Sequence, residues 1–138
     1  MVESTNSFMN NNSRGNLVLH PFVAIPGLPF SEAVDAGDFL FLSGQIGSGA
    51  DGKLVAGGIK AETRQTLANV AAVLKRQGMS MDRIVKVTVM LADMSEWDAM
   101  NEEYLAAFGK HLPARSAFGT SGLAMNARVE IECIALRR

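Results

Sequence analysis

The chain alternates between two hydrophobic periods, and the switches between them mark out its elements. Leu17 to Ile25 carries enough apolar residues for an edge strand, which Pro26 and Pro29 end. Ser31 to Ala36 and Phe39 to Ser43 flank Gly37-Asp38, a turn signal of the hairpin type. The glycine-rich stretch Gly44 to Gly58 reads as a loop, with a small hairpin at Asp51-Gly52. From Ile59 to Gln77 the period becomes helical. Leu67, Val70, Ala71 and Leu74 fall on one helical face, and Gly78 supplies the stop.

Ile84 to Leu91 is a β-branched run, and strict alternation groups Val85, Val87, Val89 and Leu91 on one face. Asp93-Met94-Ser95-Glu96 has capping-box spacing and opens a second helix, whose inward line is Trp97, Met100, Tyr104 and Phe108. A strand follows Pro113, and the last strand spans Ala127 to Leu136. Strands, helix, strand, helix, strands is the order of an α+β domain, with two helices packed on one face of a mixed β-sheet.

The last strand carries the most information. Val129, Ile131, Cys133 and Ala135 alternate onto one face, the natural partner of the helices. Arg128, Glu130, Glu132, Ile134 and Leu136 fall on the other, which is thus part ionised and part apolar. Such a mixed face suits a subunit interface with a polar pocket in it, or an ordinary solvated outer surface.

Composition narrows the function classes. Lys+Arg of 13 against Asp+Glu of 14 gives a net charge of -1, which removes the electrostatic case for nucleic-acid binding. Aromatic residues at 7% make a poor stacking platform for single strands. One cysteine and two histidines exclude a disulfide framework and leave no ligand set for a cysteine-rich or multi-histidine metal centre. No run reaches the ~18 apolar residues of a membrane span, and the start of the chain has no secretory pattern. A cytoplasmic setting is expected. Residues 1–16, rich in Asn and Ser, read as a flexible tail ahead of a single folded unit over 17–138.

Several motifs have plain explanations. Gly47 to Lys53 fits most of a phosphate-binding loop, but Leu54 stands where magnesium needs a hydroxyl and no helix follows the lysine directly. A surface turn at Asp51-Gly52 fits better. Cys133 shares its register with Val129 and Ile131, so a buried, inert thiol is expected. His111, before Leu112-Pro113, reads as a cation at a helix C-terminus. Ser43 has neither an elbow motif nor a triad around it. Asn101 lies close in angle to Trp97, Tyr104 and Phe108, either on the border of the apolar stripe or lining a pocket. Arg115 sits just inside a strand. Burial there demands a carboxylate, either Glu130 or Glu132 in a structural ion pair, or a small carboxylate ligand clamped by the guanidinium.

Taken in order, these segments resemble the Rid family of reactive intermediate deaminases, also called the YjgF family. The resemblance rests on Pro29-Phe30-Ser31-Glu32-Ala33-Val34, Phe41-Leu42-Ser43-Gly44-Gln45-Ile46, Val85-Lys86-Val87-Thr88-Val89, Met100-Asn101-Glu102-Glu103-Tyr104, Pro113-Ala114-Arg115-Ser116 and Val129 to Ala135. It implies a chorismate-mutase-like fold in a homotrimer with pockets at the subunit interfaces. It also implies hydrolysis of 2-imino acids to 2-keto acids and ammonia without a cofactor or metal. Arg115 matches the arginine that binds the substrate carboxylate, and Glu130 the glutamate associated with water. Phe30, Ser43, Gly44, Asn101 and Ala117 match positions around the pocket. Phe30 stands where many members carry tyrosine, which removes a hydroxyl, and Ala117 replaces a frequent cysteine. The competing expectations are a non-catalytic trimer that binds small ligands or proteins, and an RNA-cleaving activity, which the near-neutral charge opposes.

Overall fold

A computed structural model describes residues 17–137 of the chain; the tail expected over 1–16 lies outside them. The elements are β1 (Leu17–His20), β2 (Ala33–Ala36), β3 (Phe39–Gln45), α1 (Gly58–Arg76), β4 (Ile84–Leu91), α2 (Trp97–Phe108), β5 (Ala114–Gly119) and β6 (Val129–Leu136). They form one mixed six-stranded sheet in the order β1-β2-β3-β6-β4-β5. Each helix is a crossover: α1 links β3 to β4 and α2 links β4 to β5. β6, the last strand made, inserts antiparallel between β3 and β4. β4 and β5 pair in parallel, as a helical crossover requires.

The core lies between the sheet and its helices. Leu67, Val70, Val73 and Leu74 from α1 meet Val129, Ile131, Cys133 and Ala135 from β6, all buried in one cluster. Met100, Tyr104 and Phe108 complete it from α2, as their spacing predicts. After α1 the chain turns at Gly78 (φ 72°), a left-handed conformation that L side chains seldom adopt, and Met79 N–H caps the Leu74 carbonyl at 2.8 Å.

The structure corrects several expectations. β1 ends at His20 rather than Ile25, because Pro21 lacks the N–H that would continue the ladder. The face expected from Val85 breaks at its first member. Pairing with β6 shifts between Ile84 and Lys86, so Ile84 is buried beside Val87, Val89 and Leu91 while Val85 is 38% exposed. The capping box is only half made. Asp93 accepts from Ser95 N–H at 2.9 Å, but Glu96 turns to the Arg128 guanidinium, at 2.8 Å. Arg128 therefore precedes β6 and pairs with Glu96, and its backbone N–H donates to buried Glu62 at 2.9 Å. His111 caps α2 through its backbone N–H, which donates to the Phe108 carbonyl at 3.2 Å, and not through its ring. Its Nε2 donates to the Ile84 carbonyl at 2.8 Å and ties the loop before β5 to the start of β4. The glycine loop does form the small hairpin, with Ser48 bridged to Leu54 and Lys53 N–H bonded to the Asp51 carboxylate.

The β4 register makes a stability prediction. Ile84→Ala removes a wholly buried side chain and is expected to cost about 2–5 kcal/mol, against less than about 1 kcal/mol for Val85→Ala. Chemical denaturation of the two variants checks it; equal losses would contradict the bulge.

Candidate active site

The sheet pleat sorts the predicted site residues into two groups. Arg115 pairs with Val87 and Ala117 with Val89, both core-facing, so Arg115 and Ala117 project on the helix side of edge strand β5. Glu130 pairs with Met90, and Glu132 with Thr88, so both glutamates project on the opposite, open face. Arg115 and Glu130 thus stand on different sides of one sheet. The structural ion pair that remained open for Arg115 is not made.

The helix-side group is built around the guanidinium. Arg115 Nη1 donates to Asn101 Oδ1 at 2.7 Å. The guanidinium carbon lies 4.6 Å from the centroid of the Tyr104 ring and 5.2 Å from that of Trp97. Asn101, Trp97 and Tyr104 come from the inward side of α2, three and four residues apart, which is why they converge on one cation. Among the described residues no carboxylate pairs with Arg115. Burial above all pushes the Tyr104 phenol up to about 12, so it stays protonated. Its hydroxyl is buried beside the guanidinium without closing a hydrogen bond of good geometry. A hollow of about 290 Å³ opens here, lined by Asn101, Tyr104, Leu105, Leu112, Pro113 and Arg115.

The open-face group is built around a bulge in β3. Pairing with β6 slips between Leu42 and Gln45, at Ser43 and Gly44. The Glu130 carboxylate lies over Gly44. A Cβ there would sit 2.9 Å from Glu130 Cδ and overlap Oε2, so glycine makes the space the carboxylate occupies. Burial, then the charge of Glu132, raises the Glu130 pKa above the ordinary carboxylate value. Ser43 Oγ donates to the Ser31 carbonyl at 2.6 Å, which ties the segment carrying Phe30 to the end of β3. Phe30 is 52% exposed and packs edge-on against Phe22, with centroids 5.6 Å apart. Beside Ser43, a hollow of about 390 Å³ is lined by Phe41, Lys86, Thr88, Glu132 and Ile134.

Other reactive groups lie elsewhere. Cys133 is buried, and burial pushes its thiol up to about 12. His20 bonds Asp35 at 2.8 Å, and His111 bonds Ile84. Among the described residues no cluster of His, Cys, Asp or Glu could hold a metal ion, and no helix is long and apolar enough to cross a membrane.

Residues 23–137 match the protein family described as Endoribonuclease L-PSP. The chain is 41% identical over 110 residues to the mouse 2-iminobutanoate/2-iminopropanoate deaminase, covering 79% of this chain and 82% of that protein. It superposes on the YjgF gene product of E. coli with a TM-score of 0.77 at 36% identity, covering 86% of this chain and 94% of that one. The chain belongs to the Rid (YjgF) family. It also superposes on E. coli TdcF with bound serine, with a TM-score of 0.76 at 30% identity, covering 91% of this chain and 95% of that one.

Reading residues alone assigned Trp97 and Tyr104 to the core and missed that they also bed Arg115. Their spacing around Asn101 was the available signal. It also missed the Leu105–Leu112 wall, because exposed leucines near a helix end carry no pattern of their own.

The environment of Glu130 predicts its titration. By NMR, the Glu130 carboxyl is expected to titrate above its ordinary value of 4.5, and to move back toward it in Glu132→Gln, which removes the neighbouring charge. Gly44→Ala, which pushes the carboxylate off its seat, should do the same. A Glu130 that titrates normally in all three proteins would contradict this geometry.

Proposed function

We propose that the protein hydrolyses 2-imino acids, and the enamines in equilibrium with them, to 2-keto acids and ammonia, at sites shared between copies of a homotrimer with the chorismate-mutase-like arrangement. The observation that carries this reading is the state of Arg115. A guanidinium braced by Asn101 and two aromatic rings, with no carboxylate partner among the described residues, is a fork prepared for a carboxylate that comes from outside. The name of the mouse relative and the serine bound to TdcF both concern small molecules carrying that group.

The chemistry needs little else. A protonated imine carbon is already electrophilic, so positioning does most of the work. Arg115 takes the carboxylate through Nε and Nη2, the nitrogens that Asn101 leaves open, with Asn101 and Ala117 beside it. Glu130 of a second copy orients water against C2, with Phe30, Ser43 and Gly44 forming that wall. The carboxylate accepts a proton as the O–C2 bond forms, giving a tetrahedral carbinolamine. It returns this proton to nitrogen, the C2–N bond breaks, ammonia leaves, and the freed Glu130 carboxylate takes the hydroxyl proton as the carbonyl forms and passes it to the departing ammonia. A raised pKa makes Glu130 a stronger base than an ordinary carboxylate. Loss of the tyrosine hydroxyl at Phe30 bears on which imines fit and leaves these steps intact.

The pleat supports a shared site, because one chain holds Arg115 and Glu130 on opposite faces. The open face also carries Phe39, Phe41 and Phe118, each more than 40% exposed, which a second copy would cover. RNA cleavage is disfavoured by the net charge of -1 and by the engagement of both histidines away from either group. A reducing cytoplasm suits a chain whose one cysteine has no partner.

The activity test uses imines generated in situ by an amino-acid oxidase. Arg115→Ala and Arg115→Lys are each expected to lower kcat/KM by on the order of 10²-fold, and Glu130→Gln by roughly 10²–10⁴-fold. Wild-type rates equal to buffer with every imine would sink the enzyme; Arg115-dependent binding of 2-keto acids without turnover would leave the non-catalytic binding trimer.

The shared site has its own test. Arg115→Ala and Glu130→Gln chains, each inactive alone, are expected to regain activity when co-expressed, because mixed trimers contain interfaces with both native residues. Absence of complementation in trimers proven mixed by mass spectrometry, or a monomer mass in light scattering, would contradict it.

A further inference from the structure

The helix-side hollow carries more than a carboxylate fork. Of the residues lining it, Leu105 and Leu112 are 52% and 60% exposed, and Pro113 lies beside Leu112. Leucines this open at the mouth of a hollow are usually covered by something apolar. The polar groups in the hollow are few, and the buried Tyr104 hydroxyl has no hydrogen-bond partner. Asn101 Oδ1 accepts from Arg115, and the guanidinium rests on Tyr104. The nearby acids of α2 turn toward α1, Glu102 pairing with Lys60 and Glu103 with Arg64. Among the described residues lining the hollow, Arg115 is the one cation, so a second anionic group on a ligand would find no second positive charge there.

We infer that Leu105 and Leu112 form a side-chain subsite, which makes the protein selective for 2-imino acids with long or branched apolar side chains over those with a methyl or a charged side chain. The inference rests on the proposed function, in that Arg115 holds the carboxylate at the base of the same hollow. With that group anchored, the substituent on C2 runs along the leucine wall. A volume of about 290 Å³ admits an isobutyl, methylthioethyl or benzyl group. Each extra methylene in such contact is worth roughly 10–200-fold in a closed pocket, and less on a wall open on one side. An acidic side chain would lose its hydration against leucine and proline and compete with the carboxylate for Arg115.

The test combines turnover with binding. For the wild type, kcat/KM is expected to be about tenfold higher for the imine derived from leucine than for that from alanine, and lowest for that from glutamate. Leu112→Asp and Leu105→Asp change positions exposed in the single chain, and light scattering checks that both variants keep the wild-type oligomeric state. Each is expected to collapse the leucine-to-alanine ratio toward unity. In parallel, calorimetry measures wild type and Arg115→Ala with pyruvate, 4-methyl-2-oxopentanoate and 2-oxoglutarate. Tighter Arg115-dependent binding of 4-methyl-2-oxopentanoate, weakened by the aspartate variants, supports the subsite. Equal Arg115-dependent affinities for all three, or a ratio unmoved by both variants, would overturn the subsite while leaving the proposed function standing. No Arg115-dependent binding of any keto acid would overturn both.

Discussion

Successive residues of a strand point to opposite faces, and this alternation decides what a single chain can assemble. β6 runs through the middle of the sheet, with core residues at every second position and glutamates between them. β5 enters its register through β4, so Arg115 follows Val87 to the helix side while Glu130 follows Met90 to the open side. A one-residue slip of β6 would bring the two groups to one face, but it would also turn Val129 and Ile131 outward and both glutamates toward the core. The hydrophobic core therefore holds the cation and the carboxylate apart.

Each of the two groups is then prepared separately. On the helix side, rigid partners offset the cost of ordering a long side chain: two rings of α2 take the guanidinium faces and Asn101 takes one edge. On the open side the arrangement works by omission, since the missing Cβ at Gly44 lets a carboxylate settle against the backbone of a bulge. The ends of the crossovers are anchored by charge. Arg128 joins the start of β6 to Glu96 ahead of α2 and to Glu62 of α1, so strand and both helices share one junction.

Much of the fold was legible in residue order, because long elements with strong periodicity announce themselves. The Trp97-to-Phe108 line and the alternation of β6 stand in the structure as their spacing implies, and the α1 stripe does so at Leu67, Val70 and Leu74, with Val73 in the core where Ala71 was expected. Failures came where a nonlocal fact overrides a local pattern. Val85 belongs to a flawless alternating run, yet a bulge against β6 turns it outward. Arg128 continues the polar alternation of β6 on paper, but two glutamates from elsewhere draw it toward the helices. Arg115, Asn101 and Ala117 could be picked out individually. That they sit across the sheet from Ser43, Gly44 and Glu130 depends on the parallel pairing of β4 with β5, which no window of sequence contains.

The choice of arginine at position 115 has a meaning beyond geometry when the substrate is itself an electrophile. An imine exchanges with any free primary amine it meets, and a lysine in that place could end up covalently attached to the compound it was meant to hold. A guanidinium binds the same carboxylate and stays chemically silent. Cys133 follows the same logic. Its sulfur is walled into the core, and its thiol, pushed up to about 12, offers almost no thiolate at neutral pH. Under the proposed function, a protein that meets such imines would keep its one thiol out of their reach and hold them through a cation that does not react with them.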